Sequence, residues 1–195
     1  LNGELVAKFY LKDCVKPEAK TLIDELKSAG MKVCILSGDV QKVVKNVADE
    51  LGVSEFRAEM LPETKAKFIS ELKEQGKKVL MVGDGINDAA ALSLAHVAIC
   101  MGSGAAISLE RSDVVLLDDS LKSLAKAIKI SKFTYKTIKQ NLFWAFVYNA
   151  VCIPVAAGVL APLGLMLTPV YGAAAMCFSS VTVVLNSIRL RFKQI

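Results

Sequence analysis

Between Asn141 and Ile188 the sequence has no charged residue and no His, a run of 48 of its 195 positions. It has no C-x-x-C pair either: Cys14, Cys34, Cys100, Cys152 and Cys177 are far apart and odd in number. That usage excludes a disulfide framework and a zinc knuckle, and agrees with a reducing compartment. His96 is the sole His; nothing in the sequence pairs with it, and it reads as structural. Leu1 leads into polar positions with no signal or transit pattern. A chain that starts in mid-pattern without Met reads as a piece of something longer.

The charge that is present lies elsewhere. Leu1–Gln140 holds 21 basic and 19 acidic side chains, an ordinary soluble balance, and Arg189, Arg191 and Lys193 follow the apolar run. Three of the five surplus positive charges therefore sit beside that run, which removes any nucleic-acid meaning from the net charge. Hydrophobic residues make up 53% of the chain, above the roughly 45–50% of soluble domains. The excess is concentrated rather than spread. Disorder, a secreted disulfide module and a purely soluble enzyme are excluded.

The first 120 residues alternate between two periods. Leu5–Leu11 is a short apolar and aromatic run, and Pro17 then opens a helix, its missing N–H costing nothing in a first turn. Leu22, Ile23 and Leu26 recur at helical spacing until Gly30 stops the segment. Strands are expected at Met31–Leu36, Phe56–Met60, Val79–Val82, Val97–Met101 and Val114–Leu117. Helices are expected around Val43–Leu51, from Pro62 to Gly76, over Asp88–Ala95 and over Ala105–Glu110. This alternation predicts an α/β domain with a mostly parallel, Rossmann-type sheet. In such sheets ligands gather where strand carboxyl ends meet helix N-termini. Ser37-Gly38-Asp39 and Gly83-Asp84-Gly85-Ile86-Asn87-Asp88 both fall at that place, which favours a phosphate or metal site.

After a domain over 1–120, a Lys-rich amphipathic helix is expected over 121–141. Residues 142–161 and 170–188 each approach the roughly twenty apolar residues that span a bilayer, with Pro162, Gly164 and Pro169 breaking the chain between them. We expect two transmembrane helices joined by an extracytoplasmic loop over 162–169, and a tail over 189–195. A buried soluble hairpin would need a larger core than this chain can build. Lys132, Lys136 and Lys139 before the first stretch, and Arg189, Arg191 and Lys193 after the second, place both outer ends in the cytoplasm. The protein is thus expected to be a multi-pass membrane protein with a cytoplasmic soluble domain, in the plasma membrane if bacterial.

Polar groups inside such stretches ask for a reason. Asn149 would lie roughly 10 Å from the cytoplasmic end of its helix, Ser180 about 12 Å and Met176 about 18 Å. Met176 and Ser180, four apart, share a helix face. A thioether beside amide, phenol and hydroxyl oxygens suits a soft ion such as Cu+ better than Mg2+. The competing reading is that Ser and Asn bond the helices together while Met fills a gap. On chemistry alone the two are even.

Met81-Val82-Gly83-Asp84-Gly85-Ile86-Asn87-Asp88-Ala89, with Ala91 and Leu92, resembles the GDGxNDxxAL signature of P-type ATPases. Leu36-Ser37-Gly38-Asp39 is similar to the family's TGD or SGD motif, and Leu61-Pro62-Glu63-Thr64-Lys65 to its LPxxK segment, in the expected order. Met101-Gly102-Ser103-Gly104 and Asp113-Val114-Val115-Leu116 also fit. Asn141 with Tyr148-Asn149, and Met176-x-x-Ser179-Ser180, resemble the last two helices of the heavy-metal group that exports copper(I). Zinc, cadmium and lead exporters typically carry a charge in the final span, and none is present here.

The resemblance implies a haloacid-dehalogenase-like phosphorylation domain, incomplete, followed by the two spans. It implies Mg2+ held by Asp84 and Asp88, Lys65 as a positive charge at the phosphoryl group, and Asn87, Ser37 and Gly38 as phosphoryl-oxygen donors. Asp39 would orient the loop or meet the nucleotide side, and Asp13 matches a further interfacial acid on that side. For Asp84 and Asp88 the competing reading is plain helix-N-terminal capping. Tyr148, Asn149, Met176 and Ser180 would contact Cu+. Mg2+ and ATP are the implied cofactors of the complete pump.

The family's Asp-Lys-Thr-Gly-Thr nucleophile segment is absent from the sequence. So are counterparts of the nucleotide-binding and actuator domains and of the earlier span with its paired Cys. The expected partners are the remainder of the same pump and membrane lipid; a copper chaperone stays open as a further one, and nucleic acid is not expected. Alone, the chain is expected to be inactive. The alternatives are a nucleophile-less regulatory or pseudo-enzyme subunit, a membrane-tethered phosphatase whose nucleophile comes from elsewhere, or a pump for Ag+, Zn2+ or Cd2+.

Overall fold

The computed structural model describes residues 14–84, 87–102, 112–159, 162 and 169–192. The apolar run 5–11, the expected helix 105–110, Asp13, residues 163–168 of the loop and 193–195 of the tail lie outside the described residues. The chain divides into two compact units, Leu1–Ala125 and Lys126–Ile195.

In the first unit, helix α1 (Glu18–Ser28) follows Pro17 and turns Ala19, Leu22 and Ile23 inward. Strand β1 (Cys34–Leu36) leads through the Ser37 loop to helix α2 (Gln41–Leu51), whose Val44, Ala48 and Leu51 are buried one turn apart. Strand β2 (Glu55–Arg57) pairs in parallel with β1, Ile35 opposite Phe56. One apolar cluster of Ala19, Ile23, Ala48, Leu51 and Val53 packs beneath them, with Val33, Ile35 and Phe56 against it.

Helix α3 (Pro62–Glu74) starts with its proline in the first turn. Strand β3 (Leu80–Gly83), helix α4 (Ala89–Leu94) and strands β4 (Val97–Met101) and β5 (Val114–Leu116) complete the unit. β4 pairs in parallel with both neighbours, Met81 opposite Ala98 and Cys100 opposite Val115. A second cluster joins Ile69, Met81, Ala91, Leu92 and Ala98. Leu92 is 1% exposed, and burying such a side chain contributes about 1.5–3 kcal/mol.

The parallel α/β alternation is as expected, yet the strands form two sheets, β1-β2 and β3-β4-β5. Leu36 packs against the second cluster, so side chains link the β1 region to β3's core without a shared ladder. Strands are also shorter than expected. β2 ends at Arg57 because Glu59 takes a positive φ of 54° and the Met60 N–H turns to Ser37 O. Parallel pairing leaves the carboxyl ends of β1 and β3 opening onto the Ser37 and Asp84 loops.

Helix α5 (Leu121–Ala156) is 36 residues long and begins in the first unit, where Leu124 is buried. It runs unbroken from the expected linker helix into the apolar stretch that starts at Leu142. It stops at Ala156. Pro154 has no N–H to continue the ladder, and Gly158, at φ 85°, takes the left-handed turn that ends the helix. Helix α6 covers Pro169–Ile188. Among the described residues, no helix is long and apolar enough to cross a membrane. The amino-terminal half of α5 carries Lys122, Lys126, Lys129, Lys132, Lys136 and Lys139, and α6 carries five Ser, Thr and Asn residues (Ser179, Ser180, Thr182, Asn186, Ser187).

Candidate functional site

The Ser37 loop is built by hydrogen bonds across to the segment after β2. Ser37 N–H donates to Arg57 O at 3.0 Å, Met60 N–H to Ser37 O at 3.0 Å and Glu59 N–H to Asp39 O at 2.9 Å. Within the loop, Ser37 Oγ donates to Asp39 Oδ2 at 2.7 Å and accepts from the Asp39 N–H at 3.2 Å. Asp39 thus holds the Ser37 hydroxyl. Among the described residues, a Cβ on Gly38 would meet only Met60 O, at an ordinary 3.5 Å, so none of them demands glycine there.

Met60 runs directly into Leu61-Pro62, and the first turns of α3 deliver Lys65. Its side chain is 10% exposed and its Nζ lies 2.8 Å from Asp88 Oδ1. Asp88 stands at the N-cap of α4 but makes no side-chain cap hydrogen bond. The plain capping reading of Asp88 is therefore not what its carboxylate does: it pairs with a buried ammonium, and a buried ammonium needs such a partner. Behind the pair, a Cβ built on Gly83 would lie 2.6 Å from Asp88 Oδ2 and 2.9 Å from its Cβ. Only a residue without a side chain lets Asp88 take this place.

Asp84 is exposed just after β3, and its carbonyl accepts from the Cys100 thiol, Sγ to O 3.6 Å. Asn87 is exposed in the turn before α4; Gly85, Ile86 and Asp13 lie outside the described residues. Among the described residues no group of three or more His, Cys, Asp or Glu gathers for a metal. Mg2+ needs fewer: it is commonly held by one or two carboxylates together with substrate phosphate and water. The hard oxygens of Asp84 and Asp88 fit that requirement, although Asp88 Oδ1 is already engaged by Lys65.

His96 has a partner that sequence reading missed. Its Nδ1 accepts the Val79 N–H at 3.2 Å. Desolvation first, then Lys78 and Lys73, lower its pKa below the ordinary value. The Cys34 thiol is pushed up by burial and by Glu55, against Arg57, which makes it a poor nucleophile.

In the second unit two of the four candidate soft-metal residues bond within their own helices. Asn149 Nδ2 donates to Ala145 O at 3.0 Å and Ser180 Oγ to Met176 O at 3.2 Å, each within its own helix. Met176 is 73% exposed, and the Tyr148 ring lies 6.4 Å from that of Trp144. What does join α5 to α6 is Asn141. Its Oδ1 accepts from Asn186 Nδ2 at 2.8 Å, and its Nδ2 donates to Ser187 Oγ at 2.9 Å. Asn186 and Ser187 were not singled out from the sequence; an amide near the charged end of an apolar stretch was the available signal.

Residues 1–96 match the family described as haloacid dehalogenase-like hydrolase. The chain is 46% identical over 188 residues to a copper-transporting ATPase of Helicobacter felis, covering 96% of this chain and 26% of that protein. It is 45% identical over 195 residues to a copper-exporting P-type ATPase of Vibrio cholerae, 100% of this chain and 21% of the relative. Among solved structures, a zinc-transporting PIB-type ATPase matches at a TM-score of 0.80 and 36% identity, over 92% of this chain and 28% of that one. The chain spans about a quarter of the length of these relatives. With the three motifs in order and their residues placed as above, the chain belongs to the heavy-metal P-type ATPases and corresponds to part of such a protein.

Proposed function

We propose that this chain is part of an ATP-driven exporter whose cargo is Cu+. In this reading the first unit is the greater part of its phosphorylation domain, and α5 and α6 contribute to the cargo path. The observation that carries the reading is the buried Lys65–Asp88 pair, which joins the LPxxK and GDGxND segments at one point beside the Ser37 loop's side of the fold. Phosphoryl transfer asks a protein mainly for positioning and charge neutralisation. Lys65 is a positive charge held in place by Asp88, and it meets a phosphoryl oxygen. Asn87 and the Gly38 N–H donate to the other oxygens, and the Ser37 hydroxyl joins them once its single proton leaves Asp39 Oδ2, to which it is bonded here. Asp84 holds Mg2+, with Asp88 Oδ2 in support. When bound, the ion neutralises charge on the phosphoryl oxygens.

The nucleophile comes from a segment not in this sequence. A strand added in parallel between β1 and β3, which share no ladder, would deliver its carboxyl end between the Ser37 and Asp84 loops. The isolated chain accordingly hydrolyses no ATP, and the remainder of the pump is its necessary partner.

In the same reading, residues 142–161 and 170–188 cross the membrane with both outer ends in the cytoplasm. The support is the 48-residue run without charge and the Lys and Arg at both of its ends. The thioether of Met176 favours a soft monovalent ion. The likeness to a zinc-transporting structure makes Zn2+ the second candidate cargo. The test is ATP hydrolysis by the full-length protein, purified into lipid, with Cu+, Ag+, Zn2+ and Cd2+ in turn. Stimulation by Cu+ and Ag+ alone is expected; stimulation by Zn2+ or Cd2+ alone would reject copper as cargo.

A further inference from the structure

We propose that Asn141 is a positioning residue. With Asn186 and Ser187 it forms the joint that sets the register of α5 against α6, and so the depth of Tyr148 and Asn149 relative to Met176 and Ser180. The inference rests on the reading of those four side chains as cargo ligands and goes beyond it, because none of the three joint residues touches the ion.

The joint uses both ends of one amide. Asn141 accepts from Asn186 at 2.8 Å and donates to Ser187 at 2.9 Å. The Ser187 hydroxyl in turn donates to Val183 O at 2.9 Å. The hydroxyl and the two amides are thereby linked in one chain that crosses from helix to helix, with Asn141 and Asn186 half-buried. Polar side chains link helices in an apolar setting because every alternative leaves a donor or acceptor unmade. A single such amide is also a known way to fix helix register, since apolar contacts alone tolerate slippage.

The spacing from the joint is the same on both helices. Tyr148 is seven residues beyond Asn141 on α5, and Ser180 is seven residues before Ser187 on α6. Seven residues are close to two helical turns, about 10 Å of rise, and bring a side chain back to roughly the same face. Met176, eleven before Ser187, falls on that face again after three turns. The joint therefore stands level with one end of two matched rows and holds them in step. The candidate ligands do not do this for themselves. Asn149 and Ser180 bond to their own helix backbones and Met176 is exposed. A slip of one residue at the joint would move one row by about 1.5 Å and turn it by about 100°, whereas metal–ligand distances tolerate only about 0.2 Å.

The experiment uses the complete pump in lipid nanodiscs, with Cu+ as probe. Equilibrium Cu+ binding, the Cu+ concentration for half-maximal ATP hydrolysis, kcat, and phosphorylation by inorganic phosphate are measured together. Asn141→Leu and Asn186→Leu are each expected to weaken Cu+ binding by roughly threefold to tenfold, with kcat and phosphorylation by phosphate unchanged. The double variant is expected to be no worse than the stronger single. Ser187→Ala, which spares the Asn186 bond, gives a smaller shift in the same direction and carries the test if either Leu variant fails to fold. Unchanged Cu+ binding in these variants, with binding weakened in Met176→Leu, overturns the joint and leaves the ligand reading standing. Loss of kcat and of phosphorylation with unchanged Cu+ binding also overturns it, because that is mere structural support. Unchanged Cu+ binding in Met176→Leu removes the ligand reading, and the joint with it.

Discussion

Lys65 Nζ and Asp88 Oδ1 stand 2.8 Å apart with side chains only 10% and 15% exposed, so two segments 23 residues apart meet in one ion pair. Water does not stabilise either charge if the other is removed. Asp88→Ala and Lys65→Met should therefore each lower stability by about 3 kcal/mol, because each strands the partner's buried charge. The double variant should be more stable than Asp88→Ala alone. Thermal unfolding of the four proteins decides this, and strictly additive losses would show that the two groups do not depend on each other.

Gly83 gives a second test of the same geometry. An added Cβ would sit 2.6 Å from Asp88 Oδ2, closer than packed atoms allow, and Asp88 is held by Lys65 on its other oxygen. Gly83→Ala should therefore displace Asp88, costing about 1–3 kcal/mol as overpacking does. In the complete pump it should also reduce phosphoenzyme formation. A variant with wild-type stability and wild-type phosphorylation would mean that Asp88 has somewhere else to go.

Asp84 separates charge from shape. Asp84→Asn keeps the size of an exposed side chain and leaves its backbone carbonyl to accept from Cys100. The lost carboxylate should raise the Mg2+ concentration needed for phosphoenzyme formation from ATP by about tenfold or more, since even neighbours of a metal ligand cost that much. A Mg2+ titration of phosphorylation in the complete pump checks it. An unshifted curve removes Asp84 from the ion.

The α/β alternation and the placing of both loops at strand ends were legible because they rest on local features: Val44, Ala48 and Leu51 at helical spacing, Pro62 at a first turn. Ladder extents were not, since β1 and β2 end where the Met60 N–H turns to Ser37 rather than where apolar residues end. The motifs gave Asp88 to Mg2+ and Lys65 to the phosphoryl group by resemblance; only the folded structure brings the two side chains into an ion pair. In the second unit, hydropathy located the apolar run but not the helix end that Pro154 and Gly158 impose. The expectation that Ser and Asn bond the helices together holds for Asn141 and not for Asn149 or Ser180. Which polar residue faces a neighbour depends on helix rotation, and a uniformly apolar stretch has no polar side to reveal it.

Met176 is the residue on which the cargo reading is most exposed to failure. It is 73% exposed, and Met and Leu are close in volume, so Met176→Leu should change stability by less than about 0.5 kcal/mol. It does exchange a soft sulfur for a methyl group, and only a soft ion depends on that sulfur. In the complete pump, Cu+-stimulated hydrolysis should fall by about tenfold at unchanged expression and helix content. Full Cu+ stimulation in the variant would show that α6 offers the ion no sulfur.

His96 supplies the pH dependence. Its Nδ1 accepts the Val79 N–H, and protonation would remove that acceptor and place a third positive charge near Lys78 and Lys73. Desolvation first, then the charges of Lys78 and Lys73, hold the folded-state pKa below the ordinary value, while the unfolded chain keeps a His near 6.5. Between the two values the unfolded state binds more protons, so stability is complete above about pH 6.5 and declines as pH falls through the lowered folded pKa. Since the chain has one His, its ring proton resonance is unambiguous. Its titration midpoint should lie below 6.5, and the difference in Tm between the wild type and His96→Phe should narrow from pH 7 to pH 5.5. A midpoint at or above 6.5 would show that the Val79 bond does not hold the ring neutral in solution.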